Sequence, residues 1–335
     1  MKIIYVALLC GLAAYGSVSL TGSGSTFVAP IASEWCRDYQ NIHPGVQISY
    51  RAVGSGEGIR QAIEGTVDFG ATDGPMTKVE MESYKAQHHA EVVHFPAVIG
   101  AVAPAYNLPG TPVTLNFTPD ALAGIFLGTI SKWNDPYLAK ANPGIPLPDA
   151  RIVVVHRSDA SGTSYVWADY LAKVNLQWKL TVGVGTSVIW PSGRGGKGNE
   201  GVAEAISKTP FSVGYLELGY AIRNHIVYGN VRNASGKFIK ADLASVTAAA
   251  TETKVMPEDF RVSITNAPGD SSYPISSFSW FLVPEEVPNS AKGAALIEFI
   301  RWVITQGQTE AKGALYAPLP PRIREMELKA LAKIH

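Results

Sequence analysis

The 335-residue chain has no excess of either charge: 28 Lys and Arg balance 28 Asp and Glu. With no global field to hold nucleic acid or an anionic membrane surface, polyanion binding is excluded as its main task. Cysteine is nearly absent, with 2 in the whole chain. Cys10 falls inside an N-terminal apolar run, so Cys36 is the lone thiol of the remainder and cannot close an intramolecular disulfide. It reads as a small buried hydrophobe on a helix. Beyond the first run, no stretch approaches the roughly 18 apolar residues of a membrane span. Hydrolase and metal signatures are missing too. There is no H-E-x-x-H pair and no G-x-S-x-G elbow, and His88, His89 and His94 stand in a polar stretch that reads as solvent-exposed. No catalytic residue, metal or cofactor is expected.

What is present is a foldable core. Apolar residues make up 46% of the chain and charged residues 17%, below the roughly 25% of an average soluble protein, which excludes intrinsic disorder. The length suggests two domains. The 32 glycines and 22 prolines imply many tight turns and close backbone approaches, so main-chain N–H groups can carry much of the specific chemistry. At the start, Lys2, the apolar residues 3–14 and the small residues through Ser19 have the pattern of a secretory signal peptide over residues 1–19, cut after Gly16 or Ser19. A periplasmic or extracellular location follows. Leu9 is too bulky for a lipoprotein box, so no lipid anchor at Cys10 is expected.

Short β-branched runs at 46–50, 67–71 and 92–100 alternate with helical patterns at 29–39, 58–64 and 78–87, which predicts βαβ units around a parallel sheet. The alternation recurs, with strands at 151–156 and 212–217 and helices at 119–126, 164–174 and 199–208. A strand at 275–283 follows, then helices at 290–306 and 321–334. Residues 106–117, broken by Pro109, Gly110 and Pro112, look like a passage between lobes.

Four Gly/Ser/Thr clusters sit where a strand pattern gives way to a helix pattern: TGSGSTF at 21–27, GSGEG at 54–58, ATDGP at 71–75 and RSDASGTS at 157–164. A helix N-terminus leaves about four N–H groups unpaired and carries roughly half a positive charge, so four such junctions can converge on one small oxyanion. Ordinary N-capping uses the same residues and is the alternative for each cluster, Asp73 included. Arg157 could bond a tetrahedral anion bidentately, with Asp159 orienting it. Asp73 repels an anion unless that anion brings a proton, which phosphate does at neutral pH and sulfate does not. GRGGKG at 193–198 satisfies G-x-G-x-x-G but lacks the Ser or Thr that a P-loop needs after Lys197, so no nucleotide site is expected.

Five segments in order resemble the periplasmic phosphate-binding proteins of high-affinity phosphate ABC transporters: TGSGSTFVAP at 21–30, VDFGATDGP at 67–75, IFLGTISKWND at 125–135, HRSDASGTS at 156–164 and WPSGRGGKGNEG at 190–201. The resemblance implies an α/β, two-lobed periplasmic binding protein fold of type II, with a ligand cleft between hinged lobes. Residues 20–97 and 262–335 would form lobe I and 98–261 lobe II. It implies phosphate held by Thr26, Phe27, Ser55, Asp73, Arg157, Ser161, Gly162 and Thr163, with Asp159 behind Arg157. The partners would be inorganic phosphate and a membrane-embedded permease, and the chain a monomer. One departure is Gly56-Glu57-Gly58, where family members often have Gly-Gly after the serine. Glu57 would weaken or tune binding unless it points to solvent. Another tetrahedral oxyanion, sulfate or molybdate, and a secreted phosphatase-like enzyme are the competing functions.

Overall fold

The computed structural model describes residues 17–111, 113–252, 255–288 and 290–334. Most of the expected signal segment, residues 1–16 with Cys10, lies outside the described residues. Chain order begins β1 (Val18–Gly24), α1 (Ala29–Ile42), β2 (Val46–Ala52), α2 (Ser55–Glu64), β3 (Phe69–Thr72), α3 (Lys78–His88) and β4 (Val92–Asn107). The middle of the chain adds β5 (Asn116–Phe117), α4 (Pro119–Leu127), α5 (Pro136–Ala141), β6 (Val153–Arg157), α6 (Gly162–Val174), α7 (Leu176–Thr181), β7 (Arg194–Gly196), α8 (Gly198–Lys208) and β8 (Ser212–Glu217). Then come α9 (Leu218–Arg223), β9 (Val227–Tyr228), β10 (Asn230–Arg232), β11 (Phe238–Ile239), α10 (Leu243–Thr251), β12 (Ser276–Pro284), α11 (Ala291–Ile304) and α12 (Pro321–Leu331). The strands and helices expected from 29 to 331 are found apart from 188–190, which is no strand, and β4 runs on from its expected end at 100 to Asn107.

Nine strands form one curled sheet in the order β2-β1-β3-β12-β4-β8-β6-β7, with β9 also on β4, and β11-β10-β5 form a second, three-stranded sheet. β1 pairs in parallel with β2 and β3, and β12 inserts antiparallel between β3 and β4. β4 joins two groups of strands: its first part pairs with β12 as far as Ala101, and from Val102 onward it pairs with β8. Residues 106–117 do not lead from one group to the other, because Tyr106 pairs with Val213 and Val227, and Phe117 with Val231. Pro109 and Gly110 only make a turn, closed by the Thr111 N–H on the Leu108 carbonyl.

Helices α1, α2, α8 and α11 pack directly against strands of this sheet. In α1 the buried set Ile31, Ala32, Trp35, Cys36 and Tyr39 follows the i, i+3, i+4 spacing of an amphipathic helix. Cys36 is 4% exposed, and burial pushes its thiol up to about 12, as expected of a packing residue. At the C-terminus α11 packs on β1 and α12 packs on α11. His94 departs from expectation. It lies buried in β4, where its Nε2 accepts the Met76 N–H at 3.1 Å, and burial lowers it to about 3. The nearby His88 and Glu91 give the stretch a polar look, but β4 lies between β12 and β8 and is buried on both faces, so residue 94 is enclosed.

Candidate oxyanion site

The capping alternative can be decided helix by helix. The residues preceding α1 (Val28), α2 (Gly54, φ 102°) and α8 (Lys197) make no side-chain cap. Only Ser161 caps its own helix, its Oγ accepting from the Ser164 N–H at 3.1 Å. Asp73 is not a cap, because α3 starts at Thr77 with a capping box completed by Glu80. Three helices thus lack a side-chain cap from the residue that precedes them, while first-turn N–H groups of two of them find other partners: Gly56 the Ala160 carbonyl, Gly198 the Asp159 carboxylate and Asn199 the Thr26 hydroxyl.

Asp73 follows β3 and is 1% exposed. Ser25 Oγ donates to its two oxygens at 2.6 and 2.7 Å, Ser279 Oγ to Oδ1 at 2.7 Å, and Ser55 Oγ to Oδ2 at 3.3 Å. Burial pushes this carboxyl up to about 6, while Ser25, Ser279 and the Arg157 charge hold it from rising further. At neutral pH it is mainly an acceptor-only carboxylate. Ser25 also accepts the Phe27 N–H at 2.9 Å and the Val28 N–H at 3.3 Å. The Phe27 ring sits in the core beside Tyr316, whose hydroxyl donates to the Phe27 carbonyl at 2.6 Å.

Arg157 ends β6 with its side chain 1% exposed. Nε and Nη2 donate to the Asp159 carboxylate at 2.8 and 2.5 Å, and Nη1 donates to Thr163 Oγ1 at 3.2 Å. Burial alone would raise Asp159, but its bonds to Arg157, that positive charge and the Gly198 N–H at 3.0 Å outweigh it and hold the carboxyl below its usual value. The Tyr215 hydroxyl accepts the Arg157 N–H at 3.0 Å and lies 2.6 Å from Ser164 Oγ, so one buried tyrosine sets the end of β6 against the start of α6. Its ring stacks on Trp167.

The two halves meet closely. A Cβ on Gly162 would lie 2.3 Å from Ser55 Oγ and 2.4 Å from Asp73 Oδ2, so only glycine fits there. The Gly56 N–H donates to the Ala160 carbonyl at 3.0 Å. Thr26 receives Asn199 Nδ2 on its hydroxyl at 3.0 Å and the Tyr220 hydroxyl on its carbonyl at 2.8 Å. Every expected site residue therefore lies along one seam. Ser25, Ser279, Asn199, Tyr215 and Tyr220 were not foreseen. Ser25 and Asn199 lie inside quoted motifs, but the other three are reached only through the fold. A cleft of about 220 Å³ lined by Thr26, Asp159, Lys197, Asn199 and Tyr220 opens from the seam. A larger cavity of about 490 Å³, beside Asp68 and Lys292, lies toward the opposite end of β3 and gathers no comparable set of donors.

Residues 13–306 match the PBP superfamily domain. Over 309 residues, 92% of this chain and 83% of the relative, the sequence is 42% identical to the phosphate-binding protein PstS of Xylella fastidiosa. This chain belongs to the PstS family. PstS of Haemophilus influenzae is 40% identical over 95% of this chain and 94% of its own length. At the level of fold, the phosphate-binding protein of Stenotrophomonas maltophilia superposes with a TM-score of 0.71 at 18% identity, covering 92% of each chain. The architecture is the α/β, two-lobed type II fold of periplasmic phosphate-binding proteins, as the resemblance implied.

Two open points close within this PstS-family frame. Glu57 is turned away from the seam: Arg60 donates to it at 2.6 and 2.8 Å and Gln61 at 2.5 Å, and these bonds lower it to about 2. It is a surface ion pair on α2. The glycine-rich motif at 193–198 does not follow a strand, as a dinucleotide-binding turn does; it contains β7 and ends where α8 begins. A Cβ on Gly196 would lie 2.6 Å from the Gly201 backbone and one on Gly195 2.7 Å from Ser158 Cβ, so these glycines serve close packing that brings Asn199 to the seam.

Proposed function

We propose that this chain captures inorganic phosphate between its lobes and delivers it to a membrane-embedded ABC permease, as a secreted monomeric binding protein rather than an enzyme. The observation that carries this reading is the charge pattern of the seam. Arg157 and Asp159 form a closed, neutral pair, and Asp73 adds a buried carboxylate that accepts from three serines and keeps acceptor capacity. Such a site offers donors to an oxyanion from helix starts and hydroxyls, and one acceptor for a ligand proton. Hydrogen phosphate satisfies both; a fully ionised anion leaves Asp73 facing like charge. Thr26, Phe27, Ser55, Ser161, Gly162 and Thr163 supply hydroxyl and main-chain contacts, Arg157 the charge-assisted ones, and Asp159 positions Arg157. Hydrolysis would need a nucleophile paired with a base, and Ser164, bonded to Tyr215, has none beside it.

In this reading residues 20–97 and 262–335 form lobe I and 98–261 lobe II, supported by the switch of β4 from β12 to β8 after Ala101. Secretion is supported by the signal pattern of the leading residues. Cleavage after Gly16 leaves β1 whole, whereas cleavage after Ser19 would remove the partners of Val46 and Gln47. Among the described residues no helix is long and apolar enough to cross a membrane.

Calorimetry on phosphate-stripped protein tests the reading. Phosphate should bind one-to-one with a Kd below about 1 μM, corresponding to roughly −8 kcal/mol or tighter. Arg157→Ala should lose about 1.5–3 kcal/mol, the worth of hydrogen bonds to a charged group, and Asp159→Ala less. Equal binding of sulfate by the unaltered protein, or wild-type affinity in Arg157→Ala, would overturn it.

A further inference from the structure

Asn199 stands at the first turn of α8, fully buried, and contacts no charged side chain. Its amide orientation is dictated by its surroundings. Oδ1 accepts the Glu217 main-chain N–H at 3.0 Å, a donor that cannot reverse its role, so the other end must be the NH₂. That NH₂ spends its two hydrogens on two hydroxyls, Thr26 Oγ1 at 3.0 Å and Thr163 Oγ1 at 3.1 Å. Thr26 Oγ1 receives a second, longer bond from the Asn199 N–H at 3.4 Å, and Thr163 Oγ1 receives Arg157 Nη1 at 3.2 Å.

A hydroxyl has one proton and two lone pairs. On each threonine both lone pairs are taken by fixed donors, so the proton has to be given away. We propose that Asn199 is the positioning residue that sets the hydrogen-bond polarity of the site: by filling the lone pairs of Thr26 and Thr163 it makes both hydroxyls obligate donors to a bound oxyanion. Thr26 belongs to the first lobe, while Asn199, Thr163 and Glu217 belong to the second. The polarity is therefore completed only when the lobes are together, and closure itself switches Thr26 from a freely rotating hydroxyl to a donor. This rests on the proposed anion site and adds a residue that acts through others instead of touching the ligand.

A double-mutant cycle read by calorimetry tests it, with phosphate, arsenate and sulfate as probes. Asn199→Ala should weaken phosphate binding about 10- to 100-fold, the worth of one to two hydrogen bonds, in the otherwise native protein. Repeated in a Thr26→Val/Thr163→Val background, the same change should cost less than about 3-fold, because its targets are gone. Thr26→Ser/Thr163→Ser, which keeps both hydroxyls, should restore the full effect. Equal losses in the valine and native backgrounds would show a merely structural role and overturn the proposal, as would native affinity in Asn199→Ala. If Asn199→Ala fails to fold, Asn199→Asp retains the acceptor for Glu217 and lacks both donors; near-native affinity in that variant overturns the proposal equally. A native protein that prefers sulfate defeats the phosphate reading alone, since the cycle then runs with sulfate. A native protein that binds none of the three defeats both.

Discussion

Gly162→Ala isolates closure from chemistry. The variant adds one methyl carbon and changes no charge, donor or acceptor. Gly162 opens α6 with a backbone that any residue can adopt, so the effect comes from space alone. The new carbon would lie 2.3 Å from Ser55 Oγ, 2.4 Å from Asp73 Oδ2 and 2.7 Å from the Asp73 main-chain nitrogen, where ordinary contact begins at 3.4 Å. Ser55 could turn away, but the Asp73 backbone follows β3 directly and its carbonyl accepts from Ser277 of β12 at 3.3 Å, so the two sides must part by about 1 Å. Hydrogen bonds at 2.8–3.0 Å do not survive that displacement. Three cross the seam here: Asn199 to Thr26, Tyr220 to Thr26 and Gly56 to Ala160. At about 1 kcal/mol each they sum to roughly 3 kcal/mol, or about two decades of affinity. Calorimetry should show phosphate binding weakened about 100-fold, and small-angle scattering should show that phosphate no longer compacts the variant. Gly45→Ala is the control, since nothing lies within 4 Å of its added carbon, and it should behave as the native protein. Native affinity together with native compaction in Gly162→Ala would refute the reasoning, because the seam would then have absorbed a methyl group without opening.

Two further outcomes are expected. In Asp73→Asn a carboxylate is replaced by an amide, removing a like-charge repulsion that at about 4 Å and an effective dielectric near 20 is worth roughly 4 kcal/mol against sulfate; sulfate binding should appear while phosphate binding changes modestly, and continued exclusion of sulfate in calorimetry would place selectivity elsewhere. Glu217 is fully buried and burial raises its carboxyl from 4.5 to about 8, only partly opposed by the Gly219 N–H and Arg223. A raised acid binds its proton more tightly when folded, so stability is complete below pH 4.5 and lost as pH climbs toward 8, by roughly 5 kcal/mol if nothing relaxes. Glu217→Gln removes that slope, so urea unfolding should show the variant gaining on the native protein between pH 5 and pH 8.5; an equal difference at both pH values would sink the assignment.

What could be read from the sequence was whatever is local. A Gly-Ser-Thr cluster before a helix pattern is visible in a window of ten residues, and such clusters contain Ser55, Asp73, Arg157 and the 161–163 run, which the fold brings together. Residues whose role depends on distant pairing were invisible. Ser279 reaches Asp73 across 206 positions, because β12 returns to insert beside β3. Tyr220 reaches Thr26 across 194 positions. Neither has a neighbour in sequence that marks it. Glu57 is the opposite case: Arg60 and Gln61 stand three and four residues on, the spacing of a helix face, so its diversion to solvent was readable from helix geometry. His94 is a third case: polar neighbours in sequence do not mark it as the interior of a strand buried on both faces, which only the pairing of β4 with β12 and β8 makes it.

The charges of the seam explain why so many neutral groups are gathered there. A buried Arg with no partner would attract any anion strongly, and would discriminate poorly. Here Asp159 cancels Arg157, and Asp73 leaves the ionised set at one net negative charge, so Coulomb attraction cannot be what holds an oxyanion. Attraction has to come from dipoles with fixed directions: main-chain N–H groups at helix starts, and hydroxyls whose lone pairs are already filled. Dipoles of this kind fall off faster with distance than a charge does, so they act only on a ligand that fits and only when the lobes are together. Closure and selectivity then depend on the same short contacts. A single methyl group at Gly162 and a single amide at Asp73 should therefore separate them, the first removing closure with the chemistry intact and the second relaxing selectivity with closure intact.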